Sequence, residues 1–112
     1  MEIEALEEKA GQASALLAAM ANEKRLMILC QLLGGEKSVS ELAEQLDARP
    51  STVSQHLALL RKDRLVATRR EAQSLYYSLA GPEAREILDA LYRLYCGPTD
   101  ARKRKRAAKA ES

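Results

Sequence analysis

Apolar residues recur along most of this chain at helical spacing, and they change to strict alternation in one short region. Ile3, Leu6, Ala10, Ala13, Leu16, Leu17 and Met20 mark one face of a first helix, expected from about Glu4 to Met20. Glu2, Glu4, Glu7 and Glu8 lie near its N-terminus, where negative charge suits the helix dipole. Ala13, Ala15, Ala18, Ala19 and Ala21 give it a small-residue surface that permits close helix approach. Asn22 suits the N-cap of a second helix, with Glu23 in its first turn. From Leu26 to Leu33 that helix is apolar on most sides, which predicts a place in the middle of the fold. Gly34-Gly35 ends it.

The stretch SVSELAEQLDARPSTVSQHLALLRK, Ser38 to Lys62, predicts two short helices joined by a tight turn. Ser38 and Glu41 form an S-x-x-E capping box, and Leu42 and Leu46, with Val39, supply the buried side of the first. Asp47-Ala48-Arg49-Pro50 breaks the chain, with Pro50 suited to the first turn of the next helix. There Val53, Leu57 and Leu60 form an inward stripe. Ser51, Thr52, Ser54, Gln55 and His56 crowd its early turns with groups that suit a DNA groove. Hydroxyls bind phosphates at close approach, Gln pairs with adenine in bidentate fashion, and a helix N-terminus favours phosphate. A plain helical hairpin would show the same periodicity, and the residues beyond Lys62 decide between the two.

Two alternating segments lie there, Leu65–Arg70 and Ser74–Leu79, linked by Glu71-Ala72-Gln73, and they predict a β-hairpin. Arg69 and Arg70, with Gln73 and Ser74, give its tip a phosphate- or minor-groove-seeking character. A basic hairpin directly after a helix-turn-helix is a wing. The last helix opens at Gly81-Pro82-Glu83, with Pro82 expected at the first helical position. Ile87, Leu88, Leu91, Leu94 and Tyr95 form its apolar stripe, and Cys96-Gly97-Pro98 closes it. The expected fold is therefore mainly α with a β-hairpin wing: a winged helix-turn-helix in the order α-α-α-α-β-β-α. The central helices and wing already make a core, so the first and last helices are expected to pair with a second chain. A C2 homodimer of this kind would present two recognition helices to a palindromic site on double-stranded DNA.

Composition narrows the function further. The 112 residues fit one domain and include neither Trp nor Phe, so the core rests on aliphatic residues and four Tyr. No apolar run approaches the ~20 residues of a membrane span, and MEIEALEEKA is no signal peptide. A cytoplasmic protein with no membrane partner is expected, and there Cys30 and Cys96 default to free thiols. Residues 1–99 carry 12 Lys+Arg against 14 Asp+Glu, a net of −2, whereas residues 100–112 carry 6 against 2, a net of +4. The chain thus divides into a DNA-binding and dimerisation domain, residues 1–97, and a basic tail, residues 98–112. The tail is expected to be disordered and to add sequence-independent attraction for phosphates. No C-x-x-C pair and no Cys/His/acid set is present, which argues against an enzyme.

With this element order, ANEKRLMILCQLL, SVSELAEQLDARPSTVSQHLALLRKDRLV and RREAQSLYYSL resemble the ArsR/SmtB family of dimeric winged-helix repressors over residues 15–96. The resemblance implies a sensor that leaves DNA when its inducer binds. Ser38 and Ser40 stand where the arsenical branch has a Cys-x-Cys pair, and residues 82–96 contain no His for a zinc site. No metal or cofactor is therefore expected, a two-thiolate site for mercury or Cu(I) being the remaining metal alternative. Cys30 and Cys96 look like the redox-sensing pair of the thiol-based branch (BigR-, SqrR- and HlyU-like regulators), which answers to reactive sulfur species or oxidants. In that branch the reduced dithiol binds DNA, and a bridge within one protomer releases it. The bland alternative is a winged-helix protein with no working sensor (constitutive, architectural or anti-repressor), its cysteines serving as small packing residues.

Overall fold

The computed structural model describes residues 2–97; the expected basic tail lies outside the described residues. Five helices and three strands succeed one another: α1 (Ile3–Met20), α2 (Glu23–Leu32), β1 (Lys37–Ser38), α3 (Val39–Leu46), α4 (Pro50–Lys62), β2 (Val66–Glu71), β3 (Ser74–Leu79) and α5 (Glu83–Cys96). The winged helix-turn-helix is present, with one addition to the expected order. Lys37 and Ser38 pair with Tyr77 and Tyr76, so β1 joins the hairpin in an antiparallel sheet ordered β1-β3-β2. A two-residue strand has no periodicity to betray it.

Local chemistry accounts for most boundaries. The Asn22 side chain accepts from the Arg25 N–H at 3.0 Å and starts α2. The Ser38 Oγ accepts from the Glu41 N–H at 3.2 Å while the Glu41 carboxylate accepts from the Ser38 N–H at 3.0 Å, a complete capping box on α3. Asp47 ends α3 in the left-handed region (φ 50°), and Pro50 opens α4 at its first position. In two places the boundaries differ by one residue. Pro82 is the N-cap of α5, not its first helical residue, although its carbonyl already accepts from the Glu86 N–H at 2.9 Å. The wing starts at Val66 and its loop is only Ala72-Gln73, because Glu71 pairs with Ser74.

The core lies between α2, α3, α4, the base of the wing and α5. Ile28, Leu29 and Leu32 of α2 meet Leu42 of α3, Val53, Leu57 and Leu60 of α4, and Leu88 of α5, all fully buried. Each such side chain contributes roughly 1.5–3 kcal/mol by leaving water. Helix α1 sends only Ala19 and Met20 fully into this core. Its Ile3, Leu6 and Leu17 are at least half exposed, as are Tyr92, Leu94 and Tyr95 of α5. Among the described residues no helix is long and apolar enough to cross a membrane.

Candidate nucleic-acid interface and thiol pair

Helix α4 has two unlike sides because its inward stripe leaves the rest of the cylinder to solvent. Val53, Leu57 and Leu60 are buried, whereas Ser51, Ser54, Gln55, Ala58 and Lys62 are exposed. The outward side thus carries short hydroxyls and one amide near the helix N-terminus, and the last turn carries Arg61 and Lys62 with no acid in the first turn. The α3 capping box and the Asp47 turn fix how that side is presented relative to α3.

His56 and Thr52 are placed differently from their neighbours. Both line a cleft of about 390 Å³ between α2 and α4, together with Glu23, Lys24, Met27 and Ile28. The His56 Nδ1 is buried and makes no hydrogen bond to protein. Its burial, then the charges of Arg25 and Lys24, hold the imidazole below its ordinary pKa. Its place in the sequence suggests the DNA face; only the rotation of α4 about its axis shows that residues 52 and 56 look toward α2.

The wing separates its two arginines. Arg70 is exposed and has no ion pair among the described residues. Gln73 and Ser74 are exposed beside it at the tip. Arg69 is held instead: its Nη2 and Nε donate to the Glu36 carboxylate at 2.6 and 3.1 Å, and its Nη1 donates to Glu71 at 3.0 Å. The guanidinium also lies 5.1 Å from the ring centre of Tyr76, its partner across the strands. These hydrogen bonds lower the pKa of Glu36 and raise that of Arg69. Glu36, Glu71 and Tyr76 carry no motif that marks them in the sequence. The hairpin register alone predicts the Arg69–Tyr76 pair; Glu36 needs the unannounced β1.

Cys30 and Cys96 come together although 66 positions separate them in the chain (96 − 30). Both are half-buried free thiols lining one cavity of about 360 Å³ between α2 and α5. Leu26, Leu33, Leu88, Leu91, Tyr92 and Tyr95 complete its almost wholly apolar wall. Burial first, then the proximity of Cys96, pushes the Cys30 thiol above its ordinary pKa. Gly97 is needed just beyond, since a Cβ there would meet the Arg93 carbonyl oxygen at 2.5 Å. Among the described residues no three His, Cys, Asp or Glu side chains converge as metal ligands.

Comparison with known proteins agrees with this geometry. Residues 22–68 match the family described as bacterial regulatory protein, arsR family. Over 96 residues the chain is 49% identical to the transcriptional activator HlyU of Vibrio cholerae, spanning 86% of this chain and 89% of that one. The structure of reduced HlyU from the same organism matches with a TM-score of 0.77 over 83% of this chain and 98% of that one. The transcriptional repressor BigR of Xylella fastidiosa matches with a TM-score of 0.81 at 36% identity, over 86% of this chain and 98% of that one. A homodimeric winged helix-turn-helix DNA-binding domain from Mycobacterium bovis matches with a TM-score of 0.70 at 30% identity, over 79% and 82% of the two chains.

Proposed function

The chain belongs to the arsR family of bacterial regulatory proteins, and from that premise we propose that it is a homodimeric, sequence-specific transcriptional repressor switched by the Cys30/Cys96 dithiol. The reduced form binds a palindromic operator, and the bridged form releases it. The observation that carries this reading is the cavity in which two cysteines from distant parts of the chain share an apolar wall. Two packing cysteines have no need to meet; a switch requires it.

On the DNA side, Ser51, Ser54 and Gln55 supply the outward groups of α4, and Arg70, Gln73 and Ser74 those of the wing. The exposed apolar residues of α1 and α5 fit a second copy of the chain, and the Mycobacterium bovis relative is a homodimer. Pairing through α1 and α5 sets the distance between the two recognition helices, which must span half-sites about one DNA turn apart. A bridge between α2 and α5 ties the core of one protomer to that interface and alters the spacing.

The chemistry balances with a hydropersulfide as oxidant. One Cys thiolate attacks the outer sulfur of RSSH and expels RS⁻, which takes up a proton to give RSH. The second thiolate attacks the inner sulfur of the new Cys–S–SH and expels HS⁻. Two thiols are oxidised to one disulfide, the persulfide is reduced, and RSH and hydrogen sulfide leave. Peroxide reaches the same bridge with two waters as products. A direct disulfide needs Cα atoms within ~7 Å, and a longer polysulfide link relaxes that limit. The Vibrio cholerae relative is named a transcriptional activator, which favours a second reading of the outcome, activation in place of repression, with the same switch beneath it.

Gel shifts with reduced and polysulfide-treated protein, paired with mass spectrometry of each form, test the proposal. Loss of DNA binding together with an intramolecular bridge is expected. Equal binding by the two forms would reduce the protein to a DNA-binding regulator without a thiol switch.

A further inference from the structure

We infer that Arg69 is a positioning residue, not a phosphate ligand: with Glu36, Glu71 and Tyr76 it forms a clamp that fixes the angle of the wing against the helix-turn-helix. This rests on the DNA-binding reading above for its functional consequence, and on geometry alone for the clamp. Arg69 sits on β2, the outermost strand of the sheet. Its guanidinium lies over Tyr76 of the middle strand and reaches Glu36, one residue before β1. A single side chain thus spans the width of the sheet. Glu36 stands two positions before Ser38, the residue that caps α3. The far strand of the wing is therefore tied to the point where the helix-turn-helix begins.

The charges argue the same way. Arg69 faces two carboxylates, so the cluster carries a net negative charge and offers phosphate nothing without first being broken. The planar fork of Arg satisfies Glu36 with two nitrogens and Glu71 with a third, which a Lys ammonium cannot reproduce. Arg70, the next residue, has the opposite character: it is exposed, without an ion pair among the described residues, and points from the other side of the strand. Adjacent arginines on one strand necessarily face opposite sides, and this wing gives them separate tasks. Arg70 meets the phosphate; Arg69 aims the hairpin that carries it.

The test measures DNA binding against salt concentration on a labelled mixed-sequence duplex, with the full chain in reducing buffer. Glu36→Gln should weaken binding several-fold without changing the slope of log K against log salt, and Arg69→Lys should do the same. Adding Arg69→Ala to Glu36→Gln should cost less than Arg69→Ala costs in wild type, since part of the clamp is already gone, and should leave the slope unchanged. Arg70→Ala should lower the slope by about 0.9 for each phosphate it no longer neutralises. The assignment is overturned if Glu36→Gln tightens binding with a steeper slope, because a freed Arg69 would then be reaching phosphate. It is equally overturned if Arg69→Ala lowers the slope as Arg70→Ala does. Hydrogen exchange of the wing amides, measured without DNA, separates the clamp from the DNA-binding reading. Glu36→Gln and Arg69→Lys should each speed exchange across β2 and β3, and wild-type rates in both variants would show that no clamp exists. A wild type that binds no DNA but shows this exchange pattern retains the clamp and removes the function proposed above.

Discussion

Oxidising the Cys30/Cys96 pair should raise thermal stability sharply. The bridge would close a loop of 66 residues (96 − 30). In the chain-entropy picture a loop of that size removes enough freedom from the unfolded chain to add ~4 kcal/mol at 25 °C. For a domain of about 100 residues, each kcal/mol moves the melting temperature by roughly 4–8 °C, so the ceiling is a rise of about 16–32 °C. Strain from drawing α2 and α5 together subtracts from this, and that strain is the same energy that would alter the dimer angle. The bridged protein should therefore gain less than the ceiling, and the shortfall measures the work done on the interface. The assay is differential scanning calorimetry of reduced and polysulfide-treated wild type, with Cys30→Ser and Cys96→Ser as controls. Each control removes a half-buried thiol and should cost about 1 kcal/mol, since a hydroxyl there is poorly hydrogen-bonded. Neither should respond to oxidant. Because Cys30 is held above the ordinary thiol range, bridging should also quicken as pH rises through that region and the thiolate fraction grows. If treated wild type melts no higher than reduced wild type, or runs as a covalent dimer on a non-reducing gel, the intramolecular switch is wrong.

Four further outcomes are expected. Gln55→Ala should lose ~1–3 kcal/mol of discrimination at particular base pairs, and an equal loss on operator and random DNA would remove base readout from that amide. Leu94→Glu should shift sedimentation from dimer to monomer while leaving helix content intact, because Leu94 is exposed and outside the core; an unchanged dimer would place the interface elsewhere. His56 should make the protein acid-sensitive: with its folded pKa depressed, the unfolded chain binds a proton first as pH falls below about 6.5, and stability drops down to the folded value. Urea titrations of His56→Gln across that range should show a shallower drop than wild type, and identical curves would clear the residue. Deleting Asp100–Ser112 should flatten the salt dependence of DNA binding by up to ~0.9 for each phosphate the tail neutralises, with specificity unaltered, and an unchanged slope would make the basic run a bystander.

The parts of this fold legible in the sequence are those with local causes. Asn22, the Ser38–Glu41 box and Pro50 act within one turn of their own position, and each starts its helix where the residues indicate. The alternation from Leu65 to Leu79 likewise carries its own pairing information, good to one residue at the turn. Strand β1 is not legible, because two residues gain their conformation entirely from β3. The thiol pair is half legible. Resemblance marks the two positions, but no pattern in the chain says that α2 and α5 bring them to one apolar wall. His56 and Arg69 show the remaining gap. Residue type and neighbourhood suggest DNA for both, whereas helix rotation turns one toward α2 and strand pairing brings the other to Glu36. Orientation is a tertiary property, and local composition is silent about it.

The tip of the wing bears a different mark. Ala72, the first of the two loop residues, holds a φ of 55°, a left-handed conformation that costs an L-residue with a Cβ roughly 1–2 kcal/mol. Glycine, asparagine or aspartate would hold it at less cost, and two-residue hairpin loops favour such residues there. This hairpin is therefore fastened partway along its length, at Arg69, and under tension at its tip, so it should peel from the top downward as far as that clamp. A protease working on the native protein would find its first cut at the loop residues Ala72 and Gln73, and the strand ends it leaves would still be bolted to the rest of the fold through Arg69 and Glu36.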